Sequence, residues 1–440
     1  MNSPFFVSRR SVLVALGALP TVCLMTRARA RGSGEYADFD PGPNGKLRVS
    51  RPVISWRVLP GTDTRVTGAS LKINGQSVSA AYLPDKKAVW YEPGTPLAPG
   101  PYTVECGVQF DGEAWVNRTW KFAVTPNAAA APATPTDSQK NAIDTANALR
   151  ARVGLPALVP DARLCAAAQN QCVYVARHGN QITHEQTDAS SPVYLARDSS
   201  GRAGAFGYAG GCFEAIGQGV TEGKGVVRRL FDAPYHRAPF VQPGVYEVGA
   251  GVMGDVVTLV FGSGAQPGIA TYPANNQKDV PLSWDGIESP NPLRMHPEAS
   301  EAEGKIGYVV TLNVFPGLEG TGAERLAGVS ARLYTMDNKA VPAWVNTPDN
   351  DDHLDNGVIL IPKAPLRPST TYRARVTARD DGRGNILNHE WTFTTTARPF
   401  NTRDVLRPGD PLPAEFVPVA QPNRAVRHRI GEGSAPVTPP

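Results

Sequence analysis

The period of the apolar residues changes twice along this chain, and one domain of a single class cannot accommodate both periods. Residues 48–125 alternate apolar and polar side chains, as in Val53-Ile54-Ser55-Trp56-Arg57-Val58 and Trp120-Lys121-Phe122-Ala123-Val124, the pattern of half-buried strands. A Pro/Ala-rich stretch, residues 126–137, follows and reads as a linker. A 3.6-residue period then appears for the first time and characterises residues 138–265, after which residues 271–398 return to the strand pattern. The expectation is a multidomain chain in which a central α+β domain is flanked by two all-β modules. Residues 399–440 are rich in Pro, Arg and polar groups, have no period, and read as a disordered tail. The 43 glycines and 41 prolines among 440 residues suit short strands and turns and argue against long helical bundles.

The two strand-rich regions, 45–125 and 271–398, read as copies of one another. Pro93 and Pro96-Leu97 precede Tyr102, Asp111-Gly112 and Trp120-Lys121-Phe122 in the first. Pro362 and Pro365-Leu366 precede Tyr372, Asp381-Gly382 and Trp391-Thr392-Phe393 in the second. Tyr and Trp lie 18 residues apart in one and 19 in the other, a register that predicts strand, hairpin and strand with both indoles buried. Each copy resembles the Ig-like β-sandwich modules of bacterial surface and periplasmic proteins. Neither carries a metal, phosphate or nucleophile signature, so both read as spacers or adhesion surfaces.

Residues 1–30 hold Arg9, Arg10, Arg27 and Arg29 and no acidic residue. The arginine pair stands directly before an apolar stretch, Ser11 to Met25, and Ala28-Arg29-Ala30 follows in the manner of a signal-peptidase site. This order is similar to a twin-arginine export signal, which implies a periplasmic or secreted protein. These arginines account for the whole formal charge of +4. The mature chain is therefore neutral, without the electrostatic footprint of a nucleic-acid binder, and no membrane span is expected in it.

In the central region the spacing predicts a helix over about 139–153, with Ile143, Ala146, Leu149 and Val153 on one face and Gly154 and Pro156 ending it. Asp161 caps a second helix on which Leu164, Ala168, Cys172 and Val175 share a face, and Gly179 closes it. A short third helix is expected around Val226 to Phe231, then a hairpin, Val245–Val252 and Val256–Phe261, turned at Gly254-Asp255. Cys165 and Cys172 lie about 10.5 Å apart along the second helix, beyond the Cα separation of about 7 Å that a disulfide tolerates. Either can pair with Cys212, or the thiols stay free; Cys106 belongs to another module.

Six fragments then occur in a characteristic order: Ala148-Leu149-Arg150 with Gly154-Leu155-Pro156-Ala157-Leu158; Asp161 with Leu164 and Ala166-Ala167-Ala168; Thr183-His184; Glu214-Ala215-Ile216-Gly217-Gln218-Gly219; Pro234-Tyr235-His236-Arg237; and Glu247-Val248-Gly249-Ala250-Gly251-Val252. Together with Phe206-Gly207-Tyr208 they resemble the bacterial branch of the CAP superfamily, the SCP-like extracellular domains, over about 125 residues. The resemblance implies an α-β-α sandwich with a cleft lined by two histidines and acidic partners, which holds a divalent metal such as zinc in some members. Carried over by position, His184 and His236 are the two histidines and Glu214 the glutamate. Ala215 stands where the family has Asn, and Phe213 where it has Gly. The remaining acidic member has Glu185 and Asp188 as candidates.

Independently of the resemblance, two imidazoles and a carboxylate can hold a metal with an open position, or His184 and His236 can carry protons with Glu214 orienting them. A hydrogen-bonded structural cluster is the third possibility. Other chemistry falls away. Gly249-Ala250-Gly251-Val252-Met253-Gly254 fits G-x-G-x-x-G but is followed by a strand, so it is no dinucleotide site. His184-Glu185 lacks the second histidine of H-E-x-x-H, and no G-x-S-x-G elbow occurs. The expectation is an exported protein that binds an unidentified ligand or envelope component through this cleft. A metal-dependent or acid–base hydrolase using the same residues, and an adhesion rod with an inactive centre, are the alternatives.

Overall fold

The period-2 segments pair into two modules built on one plan. The computed structural model describes residues 36–38, 41–60, 64–219, 223–243, 245–262, 268–299, 302, 305–315, 325–380 and 386–397. The expected export signal and the expected tail lie outside the described residues. The first module comprises β1 (Tyr36–Asp38), β2 (Gly45–Val49), β3 (Ile54–Pro60), β4 (Val66–Ile73) and β5 (Gln76–Ser77). It continues with β6 (Ala81–Leu83), β7 (Ala88–Tyr91), β8 (Gly100–Phe110) and β9 (Trp115–Ala129). One sheet has the order β1-β3-β7-β6 and the other β2-β9-β8-β4-β5. Trp56 and Val58 from the first meet Leu47, Phe110, Trp120 and Phe122 from the second in one core.

The central domain comprises α1 (Asp137–Arg152), β10 (Val159–Pro160), α2 (Ala162–Arg177), α3 (Ser199–Ala205), β11 (Cys212–Gly217), α4 (Gly223–Asp232), α5 (Pro234–Val241), β12 (Glu247–Met253) and β13 (Val256–Gly262). The last module begins with β14 (Gly268–Tyr272), β15 (Gln277–Val280), β16 (Ser283–Trp284), β17 (Ile306–Gly307), β18 (Val310–Phe315) and β19 (Leu326–Thr335). It ends with β20 (Ala340–Val341), β21 (Ala343–Asn346), β22 (Gly357–Pro362), β23 (Thr371–Asp380) and β24 (Ile386–Thr395).

Its sheets run β14-β18-β22-β21 and β15-β24-β23-β19-β20, with β16-β17 as a small extra ribbon. The two orders repeat those of the first module strand for strand. The correspondence includes the parallel pairing of β2 with β9 and of β15 with β24. Trp120 and Trp391 are both buried. The Pro/Ala stretch expected to be linker is in part strand: β9 runs on to Ala129, whose carbonyl accepts from Ser50 N at 2.8 Å. Backbone pairing is indifferent to the lost alternation of side chains, which is why the alanines conceal it.

Helix α1 starts at Asp137 because Thr136 and Gln139 close a capping box. Helix α2 starts behind Asp161, whose carboxylate accepts from the Arg163 and Leu164 amides. The central sheet has the order β10-β12-β13-β11, and both of its faces are covered. Val248, Ala250, Val257, Leu259 and Phe261 pack toward Ile143 and Ala146 of α1 and Phe240 of α5. Val260 and Val256 pack toward α2 on the other face. The result is a three-layer α-β-α domain. Gly249 and Gly251 explain the glycine motif: an ideal Cβ would lie 2.0 Å from the Leu164 carbonyl carbon at one and 2.3 Å from that of Ala168 at the other. Glycine here lets α2 lie directly on β12.

The central domain and the second module share one continuous apolar core. Arg237 lies buried across their boundary. Its guanidinium donates to the carbonyls of Phe231 and Asp232 at 2.8 Å each and to Thr311 Oγ1 at 3.3 Å, and stands 4.4 Å over the Tyr272 ring. Beside it, the Tyr308 hydroxyl donates to Asp232 Oδ1 at 2.6 Å. Burial lifts the Asp232 carboxyl to about 6, against the opposing pull of Tyr308 and Arg237.

Two predictions follow from this packing. Gly251→Ala should cost about 3 kcal/mol or more, because the obstacle is helix backbone rather than a movable side chain; denaturant unfolding should show a lower midpoint, and an unchanged one would contradict the close packing. For Asp232, the folded state binds the proton more tightly than the unfolded chain. Its stabilising contribution is thus complete below about pH 4 and is lost as pH rises through about 6. The melting temperature of Asp232→Asn relative to wild type should therefore rise between pH 4 and pH 7.5, and a pH-independent difference would refute this linkage.

Candidate functional site

Strand β11 is one edge of the central sheet, and the two matched histidines meet beside it. His184 lies in the loop after α2. That loop is held to the helix by Gln171 Nε2 donating to Thr183 O at 2.6 Å, and by Gln186 Nε2 donating to Asn170 Oδ1 at 2.8 Å and Gln171 Oε1 at 3.1 Å. His236 lies in the first turn of α5, behind Pro234, a residue preorganised for that position. The two imidazole centres are 6.0 Å apart, with the rings inclined by 27°.

Glu214 sits on β11 and is buried. His184 Nδ1–H donates to its Oε1 at 3.0 Å, and Arg202 Nη2 donates to its Oε2 at 2.5 Å. Burial pushes the Glu214 carboxyl up, but Arg202 and His184 together outweigh it and hold the group below the ordinary carboxylate range. Both oxygens are thus occupied, one by each partner. Ala215 and Phe213, the departures from the family pattern, pack toward the core on the opposite face of the strand. Strand alternation separates them from the Glu214 carboxylate.

Glu185 and Asp188, the candidates for the remaining acidic position, turn elsewhere. Glu185 pairs with Arg197 at 2.9 Å, and Asp188 pairs with His178 at 3.3 Å while accepting from Ser190. The carboxylate actually beside the second histidine is Glu288, from the segment between β16 and the 3-10 turn Pro292–Met295. His236 Nδ1–H donates to Glu288 Oε1 at 2.9 Å. Among the described residues, neither His184 nor His236 hydrogen-bonds through Nε2.

Arg202 and Glu288 have no motif of their own. An arginine four residues after a helix-capping Asp198 reads as a surface residue, and Glu288 is 52 residues from His236 in another module. Only the expectation of a missing acidic partner could have prompted a search for the latter. A separate group, Asp351, Asp352 and His353, brings three potential ligand atoms within 4.8 Å of one another. Arg294 already lies among them, 2.8 Å from Asp352 and 3.5 Å from Asp351, so that cluster has its cation. The thiols of Cys106, Cys165, Cys172 and Cys212 are free. Burial pushes Cys165 up to about 11 and Cys106 and Cys172 up to about 12, the opposite of an activated nucleophile.

Residues 143–257 match the model of the cysteine-rich secretory protein family, CAP, so a CAP domain is present over that part of the chain. Among solved structures, an extracellular SCP-domain protein from Bacillus anthracis is 14% identical, with 60% of this chain and 99% of that one covered at a TM-score of 0.26. A cysteine-rich secretory protein from Staphylococcus aureus is also 14% identical, covering 51% and 82% at 0.23. CopC from Methylosinus trichosporium is 13% identical, covering 30% and 94% at 0.18. No curated protein matches this chain.

The ion pair at the base of the site is open to a direct test. Arg202→Ala should destabilise the protein by about 3–5 kcal/mol, because it strands a buried carboxylate, whereas Arg202→Ala combined with Glu214→Gln should recover part of that loss. Equal stability of the single and double variants, measured by denaturant unfolding, would mean that the pair is not buried as described.

Proposed function

We propose that this is an exported CAP-domain protein whose cleft binds its ligand through His184 and His236, with a divalent metal such as zinc held between them. The observation that carries the reading is the matched anchoring of the two rings. Each histidine gives its Nδ1–H to a buried carboxylate, Glu214 or Glu288, and keeps Nε2 unbonded. Carboxylate-backed imidazoles are the usual outer arrangement of histidine metal ligands, since the hydrogen bond fixes the tautomer and raises the basicity of the ligating nitrogen.

The two rings are also neighbours, with their centres 6.0 Å apart. His184 and His236 would supply two ligands, leaving the other positions to water or to ligand groups; such a metal would act as a Lewis acid. Glu214 is then the orienting partner of His184 rather than a ligand, because both its oxygens are engaged. We read the flanking modules as Ig-like sandwiches, and the twin-arginine leader supports delivery to the periplasm or beyond.

A binding role is preferred to nucleophilic hydrolysis because, among the described residues, no serine, threonine or cysteine hydrogen-bonds either histidine. A metal-dependent hydrolase would use the same two imidazoles. Elemental analysis and zinc titration should find about one zinc per wild-type chain and a loss of at least about tenfold in affinity in His184→Ala and in His236→Ala. A wild-type protein that takes up no divalent metal would overturn the metal reading. A hydrolytic activity abolished by His236→Ala would replace binding with catalysis.

A further inference from the structure

Glu288 lies outside the CAP match, yet it is the best-enclosed carboxylate at the cleft, with a fully buried side chain. Its Oε1 accepts three donors: the backbone amides of Tyr235 at 3.0 Å and His236 at 3.1 Å, and His236 Nδ1–H at 2.9 Å. Its Oε2 is buried and, among the described residues, has no hydrogen-bond partner. Burying a carboxylate with one oxygen unsatisfied is costly. A helix start can be capped at far lower cost by a neutral side chain next to it in sequence, and the N-cap residue of α5, Ala233, makes no side-chain cap at all. Capping alone therefore gives no reason for a charged group reaching in from another module. Holding one nitrogen of an imidazole as the proton donor does.

The residues on either side of His236 are fastened to the same module. The Tyr235 hydroxyl donates to the buried Asp351, and Arg237 donates to Thr311 and the Val309 carbonyl. We infer that Glu288 is the positioning residue of His236 and that the second β-module is thereby a working part of the CAP cleft. His236 carries its proton on Nδ1 because of Glu288 and presents Nε2 to whatever the cleft binds. This deepens the reading of the cleft proposed above and rests on it only where zinc is the probe.

The test uses the full mature chain with nitrogen-15-labelled histidine. Nitrogen–proton correlation spectra report which ring nitrogen is protonated, and calorimetry with zinc alone reports affinity. Wild type should show His236 protonated on Nδ1. In Glu288→Ala most of the population should move to the Nε2 tautomer while His184 is unchanged, and zinc affinity should fall about 10–100-fold. Glu288→Gln keeps an oxygen acceptor but loses the charge, so it should retain the Nδ1 tautomer and bind zinc at least about threefold more weakly. A folded Glu288→Ala protein whose His236 remains protonated on Nδ1 overturns the assignment, as does zinc affinity within about twofold of wild type in both variants. If circular dichroism shows Glu288→Ala unfolded, the Glu288→Gln isotherm decides in the same sense. Wild type without zinc affinity sinks the metal reading, and the tautomer spectra then decide on Glu288 alone.

Discussion

A carboxylate shut away from water must receive its hydrogen-bond donors from the protein, and two such groups organise everything around the cleft. Glu214 takes a guanidinium on one oxygen and an imidazole on the other. Glu288 takes two backbone amides and an imidazole on a single oxygen. Meeting these demands brings together five pieces of chain that share no local sequence logic: the loop after α2, helix α3, strand β11, the start of α5 and a segment of the second β-module. Each histidine is oriented as a by-product of satisfying a buried charge, so the same interactions that stabilise the fold set the chemistry of the site.

The architecture tolerates these charges because the surrounding packing is tight and continuous. Glycines at 249 and 251 let α2 rest on β12 backbone to backbone, which sets where the loop carrying His184 begins. On the other face, α5 is only eight residues long and contains Pro239, far below the length at which a helix is stable by itself. It persists because Phe240 and Val241 enter a core shared with the second module, and because Tyr235 and Arg237 are hydrogen-bonded to that module. The position of His236 is therefore a tertiary property through and through.

That distinction separates what is readable in the sequence from what is not. Helices α1, α2 and α4 and the β12–β13 hairpin follow from periodicity and, for α2, from the cap at Asp161, all local signals. The kinship of the two β-modules is visible in the spacing of Tyr102 to Trp120 and of Tyr372 to Trp391, because alternation leaves the same side chains facing inward in each. Helices α3 and α5 have too few turns to show a period, and the strand character of Pro126–Ala129 is hidden by alanine. His184, Glu214 and His236 are recognisable only through fragments of a known family order. Arg202 and Glu288 are invisible at that level, since a buried arginine or glutamate looks like a surface residue until its partner is brought to it.

The two modules repeat one strand order, yet they meet the central domain in different ways. The first touches it through backbone and rim contacts: Val53 N donates to Gly207 O at 3.0 Å, and Lys86 approaches Glu247 at 3.8 Å. Among the described residues it reaches neither histidine. The second merges its apolar core with that of the central domain, buries Arg237 and Asp232 at the seam, and places a carboxylate on His236. The difference lies in inserted structure rather than in the shared plan, because β16, β17 and the turn between them carry the Glu288 segment and have no counterpart in the first module. A duplicated scaffold can thus keep its sheets and acquire a site-facing role through one insertion. In that arrangement the two imidazoles of one cleft are held from different sides, His184 by Glu214 within the central domain and His236 by Glu288 across the seam.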